Sequence, residues 1–234
     1  MKEIEFGLKN YWRMFKARGF FYPLVYFFQV RWFDIRWQVD THLWVPKEFE
    51  SVSLPNSSHG TIYMATQTKD IKKSFVAVHQ LLGKEFESYD FLDLGSGKGK
   101  VVLFWHILCG KKKIKQSVRG IEYSEALVEI SRANFVSLFK RPAGDIFVCE
   151  DVTSFDFSEL SDRIIIFLAN PFDDLIILKV IEKIKSRKVL VIYSMPTHSK
   201  VFKESGFSEV QKLKNNWLGR EFYVLLLANF EVKP

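Results

Sequence analysis

Asp90-Phe91-Leu92-Asp93-Leu94-Gly95-Ser96-Gly97-Lys98-Gly99-Lys100 is the stretch from which the rest of the chain can be read. An apolar run ends in Asp93 and three glycines at alternate positions, and a second apolar run, Val101 to Trp105, follows at once. The pattern predicts a buried strand, a tight turn and a helix that starts directly after it. Glycines there let a ligand approach backbone where a Cβ would collide. The helix start adds unpaired donors and a partial positive charge.

Spacing separates the ligands that use such turns. A phosphate-binding loop needs Ser or Thr directly after the Lys of G-x-x-x-x-G-K, and neither Lys98 nor Lys100 has one. The dinucleotide fingerprint G-x-G-x-x-G would require a glycine at position 100, which is lysine. The observed Asp-x-Gly-x-Gly-x-Gly resembles motif I of the class I S-adenosylmethionine-dependent methyltransferases. That resemblance implies Asp93 near the cofactor ammonium, with Gly95, Ser96, Gly97 and Gly99 along its methionine portion. Lys98 and Lys100 then read as solvent-facing residues that open the helix.

Composition sets the bounds. The chain has 234 residues, 47% hydrophobic and 26% charged, so it can build a sizeable core and global disorder is excluded. A net charge of +7 favours an anionic neighbour, nucleic acid or acidic membrane, or simply a basic soluble surface. Cys109 and Cys149 are the only cysteines, which fits a reducing compartment and a cytoplasmic location, peripheral at the membrane or free. The N-terminus carries no convincing secretory signal, and Phe20–Val30 is about half the length that spans a bilayer.

Residues 1–60 read as an aromatic, basic helical extension and linker, and 61–234 as the main domain. Trp12, Phe15, Phe20, Phe21, Phe28, Trp32 and Trp44 interleave with Arg13, Lys16, Arg18, Arg31 and Arg36. A helix is expected to about Ala17, with Gly19 and Pro23 interrupting before a second from Leu24 to about Phe33. Three readings stand for residues 1–45: a cap packed on the domain, an in-plane segment at an anionic membrane, or a stacking surface for bases or sugars. Residues 46–60 read as a loop.

Further on, Ile71 to Leu82 has helical spacing. Strand 2, Val118–Ile121, ends in Glu122, and Ser124 can cap the next helix. Gly110 is expected to end the helix before it, and Lys111–Lys113 and Lys115 read as a solvated loop. An acid at the end of the second strand reaches a ribose, which assigns Glu122, with Tyr123 beside it, to the cofactor. Arg163–Ala169 is apolar throughout, as in a strand buried on both faces, and it delivers Asn170 to the carboxyl edge where open α/β sheets bind ligands. A fifth strand, Lys188–Tyr193, and a hairpin around Asn215–Gly219 complete the chain.

Five β–α units and a closing hairpin resemble the class I methyltransferase order over roughly residues 60–230. The resemblance implies an α/β fold with a doubly wound, mostly parallel, Rossmann-like sheet of seven strands. It implies Asp151 on the adenine amino group and the Val152 N–H on the ring. Asn170-Pro171-Phe172 resembles motif IV of amino-group methyltransferases with one proline missing, which would make these the catalytic residues. Asp173 or Asp174 capping a helix is the plainer reading of the same turn. Tyr63 is expected to close over the methionine end. Phe33-Asp34-x-Arg36, Asp40-Thr41, Tyr63, the glycine motif and Asn-Pro-Phe together resemble small bacterial methyltransferases of unassigned substrate that share the glycine motif with Dot1-like lysine methyltransferases. The implied function is methyl transfer from S-adenosylmethionine to a nitrogen of a protein side chain or nucleic acid. A cofactor-binding partner subunit, or an enzyme acting on a small molecule or glycan, is the alternative. No metal is implied: His42, His59 and His198 lack ligand spacing. His79 and His106 read as packed, and His198 is the one histidine placed to act as a base.

Overall fold

The structure, a computed structural model, describes residues 8–43, 59–60, 63–217 and 220–232. Trp44, residues 46–58 of the expected linker, and Leu218 and Gly219 at the hairpin tip lie outside the described residues.

Seven strands form one sheet in the order β3-β2-β1-β4-β5-β7-β6. They are β1 (Asp90–Leu94), β2 (Val118–Glu122), β3 (Phe147–Cys149), β4 (Arg163–Leu168), β5 (Lys188–Ser194), β6 (Ser208–Trp217) and β7 (Arg220–Ala228). The first five are parallel, and β7 runs antiparallel between β5 and β6. Period-two alternation splits the apolar runs between two cores. Phe91, Ile165, Phe167, Leu190 and Ile192 face one cluster; Leu92, Leu94, Ile164, Ile166, Val189 and Val191 face the other. On the first face, Trp105 of α5 (Lys100–Lys112) lies parallel to Phe91 with ring centroids 3.9 Å apart. That face also carries α4 (Thr68–Leu82) and α6 (Glu125–Phe139), and the other face carries α7 (Asp174–Ile184).

Three local expectations are corrected. Helix α5 runs through Gly110 and stops where Lys113 turns left-handed at φ 58°. Ser124 occupies the N-cap position of α6 but makes no side-chain cap bond. The hairpin strands extend to a Trp217–Arg220 pair, so residues 215–217 belong to β6. Lys111 and Lys112 are exposed but lie in the last turn of α5, so only Lys113 and Lys115 belong to the expected solvated loop.

The N-terminal region is helical. Helix α1 (Leu8–Arg18) ends at Gly19, left-handed at φ 84° as expected, and α2 (Phe21–Tyr26), a π-helical turn at 27–31 and α3 (Trp32–Trp37) then succeed one another without a break in helical backbone. Pro23 therefore breaks nothing. It sits in the first turn, where its missing N–H has no intrahelical partner to lose. Gln38, left-handed at φ 53°, ends the helix, and the chain turns back onto the domain.

Candidate active site

The glycine turn is held from within. The N–H groups of Gly95 and Ser96 both donate to the Ile121 carbonyl, at 2.9 and 3.0 Å, and Gly99 donates to the Ser96 carbonyl at 2.9 Å. Gly97 donates to Glu122 Oε2 at 2.9 Å, while Ser124 donates to Oε1 at 3.0 Å. These donors are spent on the fold. The expected row of free amides facing a ligand is absent at these four residues. What the turn offers instead is close approach. A Cβ on Gly97 would lie 2.2 Å from the Tyr63 ring, and one on Gly95 would lie 2.5 Å from Pro171 Cβ. Both glycines have positive φ, which a side chain adopts only with strain.

A cavity of about 410 Å³ opens at the carboxyl ends of β1, β2 and β4. Asp93, Gly95, Ser96, Glu122, Asn170 and Pro171 line it, and Tyr63, Tyr123 and Phe172 complete its wall. A smaller adjoining recess is lined by Glu150, Asp151 and Val152 and shares Gly95, Glu122, Tyr123 and Phe172. All the sequence-selected site residues except Gly97 and Gly99 thus border one continuous region. Gly97 is covered by Tyr63, and Gly99 sits beneath the turn against Phe147.

The charged residues lining the larger cavity are Asp93, Glu122 and Lys100, the last with its Nζ turned to the N-terminal helices. Asp93 and Glu122 are both buried, and burial, reinforced by the Glu122 charge, pushes the Asp93 carboxyl well above the usual carboxylate range. Asp151 Oδ1 accepts from the Thr153 amide and hydroxyl, both at 2.8 Å, which orients the carboxylate in the recess. Asn170 is left-handed at φ 56°, a conformation asparagine tolerates. Its Oδ1 accepts from Tyr193 Oη at 3.1 Å and from Thr197 Oγ1. Asp173 caps α7 by accepting from the Ile176 amide, so the plainer reading of this turn holds for Asp173 while Asn170 still faces the cavity.

The lysines overturn the sequence reading. Lys98 is 0% exposed and Lys100 2%, because the N-terminal region covers them. Lys98 Nζ bonds Asp40 Oδ2 at 2.8 Å. Lys100 Nζ reaches the carbonyls of Gln29 and Val30 at 3.2 and 3.4 Å and lies 5.3 Å from the Phe33 ring centre. Those carbonyls belong to the π-helical turn, whose i→i+5 pattern alters the usual ladder there. Burial lowers the Lys100 pKa to about 7, with Asp34 opposing. Neither ammonium serves a phosphate.

The same cover is fastened elsewhere. Asn134 of α6 accepts from the Asp40 amide and donates to the Asp40 and Lys98 carbonyls. Asp34 accepts from the Thr41 and His42 amides at 2.7 Å. Tyr63 Oη donates to the Thr41 carbonyl at 2.6 Å. Residues 34–42 are thereby bonded to the domain that carries the glycine turn. Sequence pattern alone gave no sign of Asn134 or Gln29. Asp34, Asp40 and His42 come close enough to suggest a cation site. Lys98 on Asp40, Arg31 on His42 (3.3 Å) and the Asp34 donors already occupy those groups. His106 packs against Phe135 and Phe139, and burial lowers its pKa to about 4. His198 pairs with Asp174, and its amide reaches Tyr193 Oη at 3.3 Å.

No protein-family sequence model matches the chain, and no curated protein matches it by sequence. Solved structures of similar shape include the following three. Magnesium protoporphyrin IX methyltransferase of Synechocystis PCC 6803, with SAM bound, is 13% identical over 69% of this chain and 81% of that one, TM-score 0.49. Ribosomal protein L11 methylase of Lactobacillus delbrueckii subsp. bulgaricus is 15% identical over 68% and 78%, TM-score 0.46. TrmN from Thermus thermophilus is 14% identical over 66% and 48%, TM-score 0.45. The deciding feature is internal to this chain: a parallel β3-β2-β1-β4-β5 sheet with antiparallel β7 inserted before β6. The chain has the class I methyltransferase fold. In that fold the glycine turn after β1, the acid ending β2 and the turn after β4 converge at one edge, as they do here.

Proposed function

We propose that this protein transfers the methyl group of S-adenosylmethionine to a nitrogen acceptor. One observation carries the reading: the cavity presents the carboxyl groups of Asp93 and Glu122, while the turn's amides at 95–97 and the Lys98 ammonium are engaged elsewhere, and Lys100, which also lines the cavity, turns its Nζ to the Gln29 and Val30 carbonyls. Such a wall favours a ligand rich in positive charge and hydroxyl donors over a phosphate. An amino-acid ammonium, a sulfonium and a ribose diol meet that description, and a nicotinamide dinucleotide does not.

The residues then take separate roles. Asp93 receives the ammonium, and the carboxylate form becomes favourable once a cation faces it. Glu122, already fixed by two amides, accepts from the ribose hydroxyls with remaining lone pairs. Asp151 and the Val152 amide face the adenine in the smaller recess. Asn170 and the Pro171 carbonyl orient the acceptor N–H, with the Asn170 amide held in place by Tyr193 and Thr197. The bound cofactor supplies an activated methyl group. Asn170 and the Pro171 carbonyl would hold the acceptor nitrogen in line with that methyl, and the proton displaced from the nitrogen would pass to solvent water. The protein's contribution is alignment and exclusion of water, which accounts for the lack of a strong acid at the site.

The test uses labelled cofactor. Wild-type protein should bind S-adenosylmethionine by calorimetry and label a component of cell extract, with nuclease or protease pretreatment identifying the acceptor class. Asn170→Ala should bind cofactor within a few-fold and lose transfer. Asn170→Gly, which keeps the left-handed backbone without strain, should behave alike. Loss of both properties, or of neither, would remove Asn170 from this role, and binding without any labelled product would favour a non-catalytic partner.

A further inference from the structure

We infer that the outer face of the N-terminal helices is a docking surface for an anionic lipid bilayer, lying in its plane. The inference stands apart from the methyl-transfer reading. Phe33, Val30 and the Asp34–Thr41 contacts turn inward and fix these helices to the domain. The opposite side stays uncovered. Along the second helical stretch, Phe21, Leu24, Phe28, Trp32 and Ile35 recur at three- and four-residue intervals, and all are exposed; Phe21 is 65% exposed and Phe28 57%. Helix α1 extends the stripe with Leu8, Trp12 and Phe15 at the same spacing, Trp12 being 57% exposed. Ring contacts join the two: Trp12 stacks on Phe15, Phe15 meets Phe20 edge-on, and Phe20 meets Phe21. A continuous exposed aromatic ridge of this kind is unlike the scattered apolar residues of an ordinary soluble surface.

Charge selects the occupant. Lys9, Arg13, Lys16, Arg18 and Arg36 are exposed around the ridge. The only carboxylates between residues 8 and 43 are Asp34 and Asp40, and both point inward to His42 and Lys98. Lys16 lies 5.4 Å from the Trp12 ring centre and Arg36 4.7 Å from that of Trp37, so cations flank the rings. Aromatic and aliphatic groups in one stripe, rimmed by lysine and arginine with no outward acid among residues 8–43, match the boundary between acyl chains and anionic headgroups. Leu8, Leu24 and Ile35 give the stripe aliphatic groups that a base-stacking surface does not use. Among the described residues no helix is long and apolar enough to cross a membrane, so the contact is in-plane.

Full-length protein should co-float with phosphatidylcholine vesicles containing about one third phosphatidylglycerol, at least tenfold more than with phosphatidylcholine alone, and salt should weaken the binding. The double variant Phe21→Glu, Phe28→Glu should lose tenfold or more of it while keeping its melting temperature and cofactor affinity. Lys9→Glu with Arg13→Glu should lose the preference for anionic vesicles. Equal binding to both vesicle types, or a Phe21/Phe28 variant that floats like wild type, would overturn the inference. So would an oligonucleotide, or a second copy of the chain in light scattering, that occupies the face while vesicles are ignored.

Discussion

Replacing Glu122 by glutamine changes one atom and should cost the fold heavily. The carboxylate receives the Gly97 amide on one oxygen and the Ser124 amide on the other, in a nearly solvent-free setting. Glutamine has one oxygen. Its NH2 must then face one of two backbone N–H groups, leaving that donor buried and unpaired. An unsatisfied buried donor costs about 1–3 kcal/mol, and a hydrogen bond to a charged group contributes about 1.5–3 kcal/mol. These overlap, and removing the Glu122 charge relieves its repulsion of Asp93, which offsets part of the loss. A net loss of about 2 kcal/mol follows, or roughly 4–8 °C in melting temperature at this chain length. Thermal unfolding without ligand at pH 7 measures it. Calorimetry should also show cofactor affinity falling tenfold or more, because the ribose loses its acceptor and the turn its brace. A glutamine variant that melts within about a degree of wild type would refute the claim that Glu122 braces the turn.

Asp93→Asn should stabilise the ligand-free protein at pH 7 and weaken cofactor binding. The folded-state pKa is raised, so this carboxyl contributes stability below the ordinary carboxylate range and loses it as pH climbs through the raised value; asparagine is spared that loss. Wild type should release a proton on binding the cofactor, seen as a buffer-dependent binding enthalpy, and the variant should not. Lys100→Met should flatten part of the pH dependence of stability. With a folded pKa near 7 against 10.5 unfolded, the folded state holds fewer protons between those values, so stability rises with pH there, by up to about 1.4 kcal/mol per unit. The difference between wild-type and variant slopes from pH 7 to 10, read by urea titration, isolates this group, and identical slopes would contradict its burial. Gly97→Ala should expel the Tyr63 ring, whose atoms lie 2.2 Å from the new Cβ, with tenfold or greater loss of cofactor affinity; unchanged binding would mean the ring and the turn are not coupled.

The sheet was legible because its signals are local. The apolar runs around residues 91–94, 118–121 and 164–168 each become a strand, and Asp93 near the end of β1, Glu122 at the end of β2 and Asn170 just past β4 all line the cavity. Glu122 also shows the limit of that reading. Its carboxylate position follows from the strand end, but its bonds to the Gly97 and Ser124 amides depend on how the turn closes. Lys98 and Lys100 were misjudged for a related reason. A lysine in a glycine turn reads as solvated by composition, and only a segment nearly 60 residues earlier decides otherwise. Pro23 misled because its effect depends on whether a helix begins just before it.

That distant cover alters what the glycine turn is. In isolation, Gly95–Lys100 is a flexible loop with two cations that could serve a phosphate. In the folded chain Lys98 is neutralised by Asp40, Lys100 is drawn to the Gln29 and Val30 carbonyls, and Tyr63 lies on Gly97 while holding Thr41. The N-terminal region thus turns the Nζ of Lys100, a residue of the cavity wall, onto backbone carbonyls, beside the acids Asp93 and Glu122. If the cavity takes S-adenosylmethionine as proposed, selectivity for a cationic ligand is a property of the extension as much as of the motif. Lys98→Met puts the point to the test. It leaves Asp40 without its cation and should loosen residues 38–42, exposing Lys100 and returning positive charge to the wall. Cofactor affinity should drop while inhibition by inorganic pyrophosphate rises. Proteolysis at the loosened segment should quicken in parallel. Weaker cofactor binding with no change in pyrophosphate inhibition would show that the cover supports the site mechanically and does not set its charge.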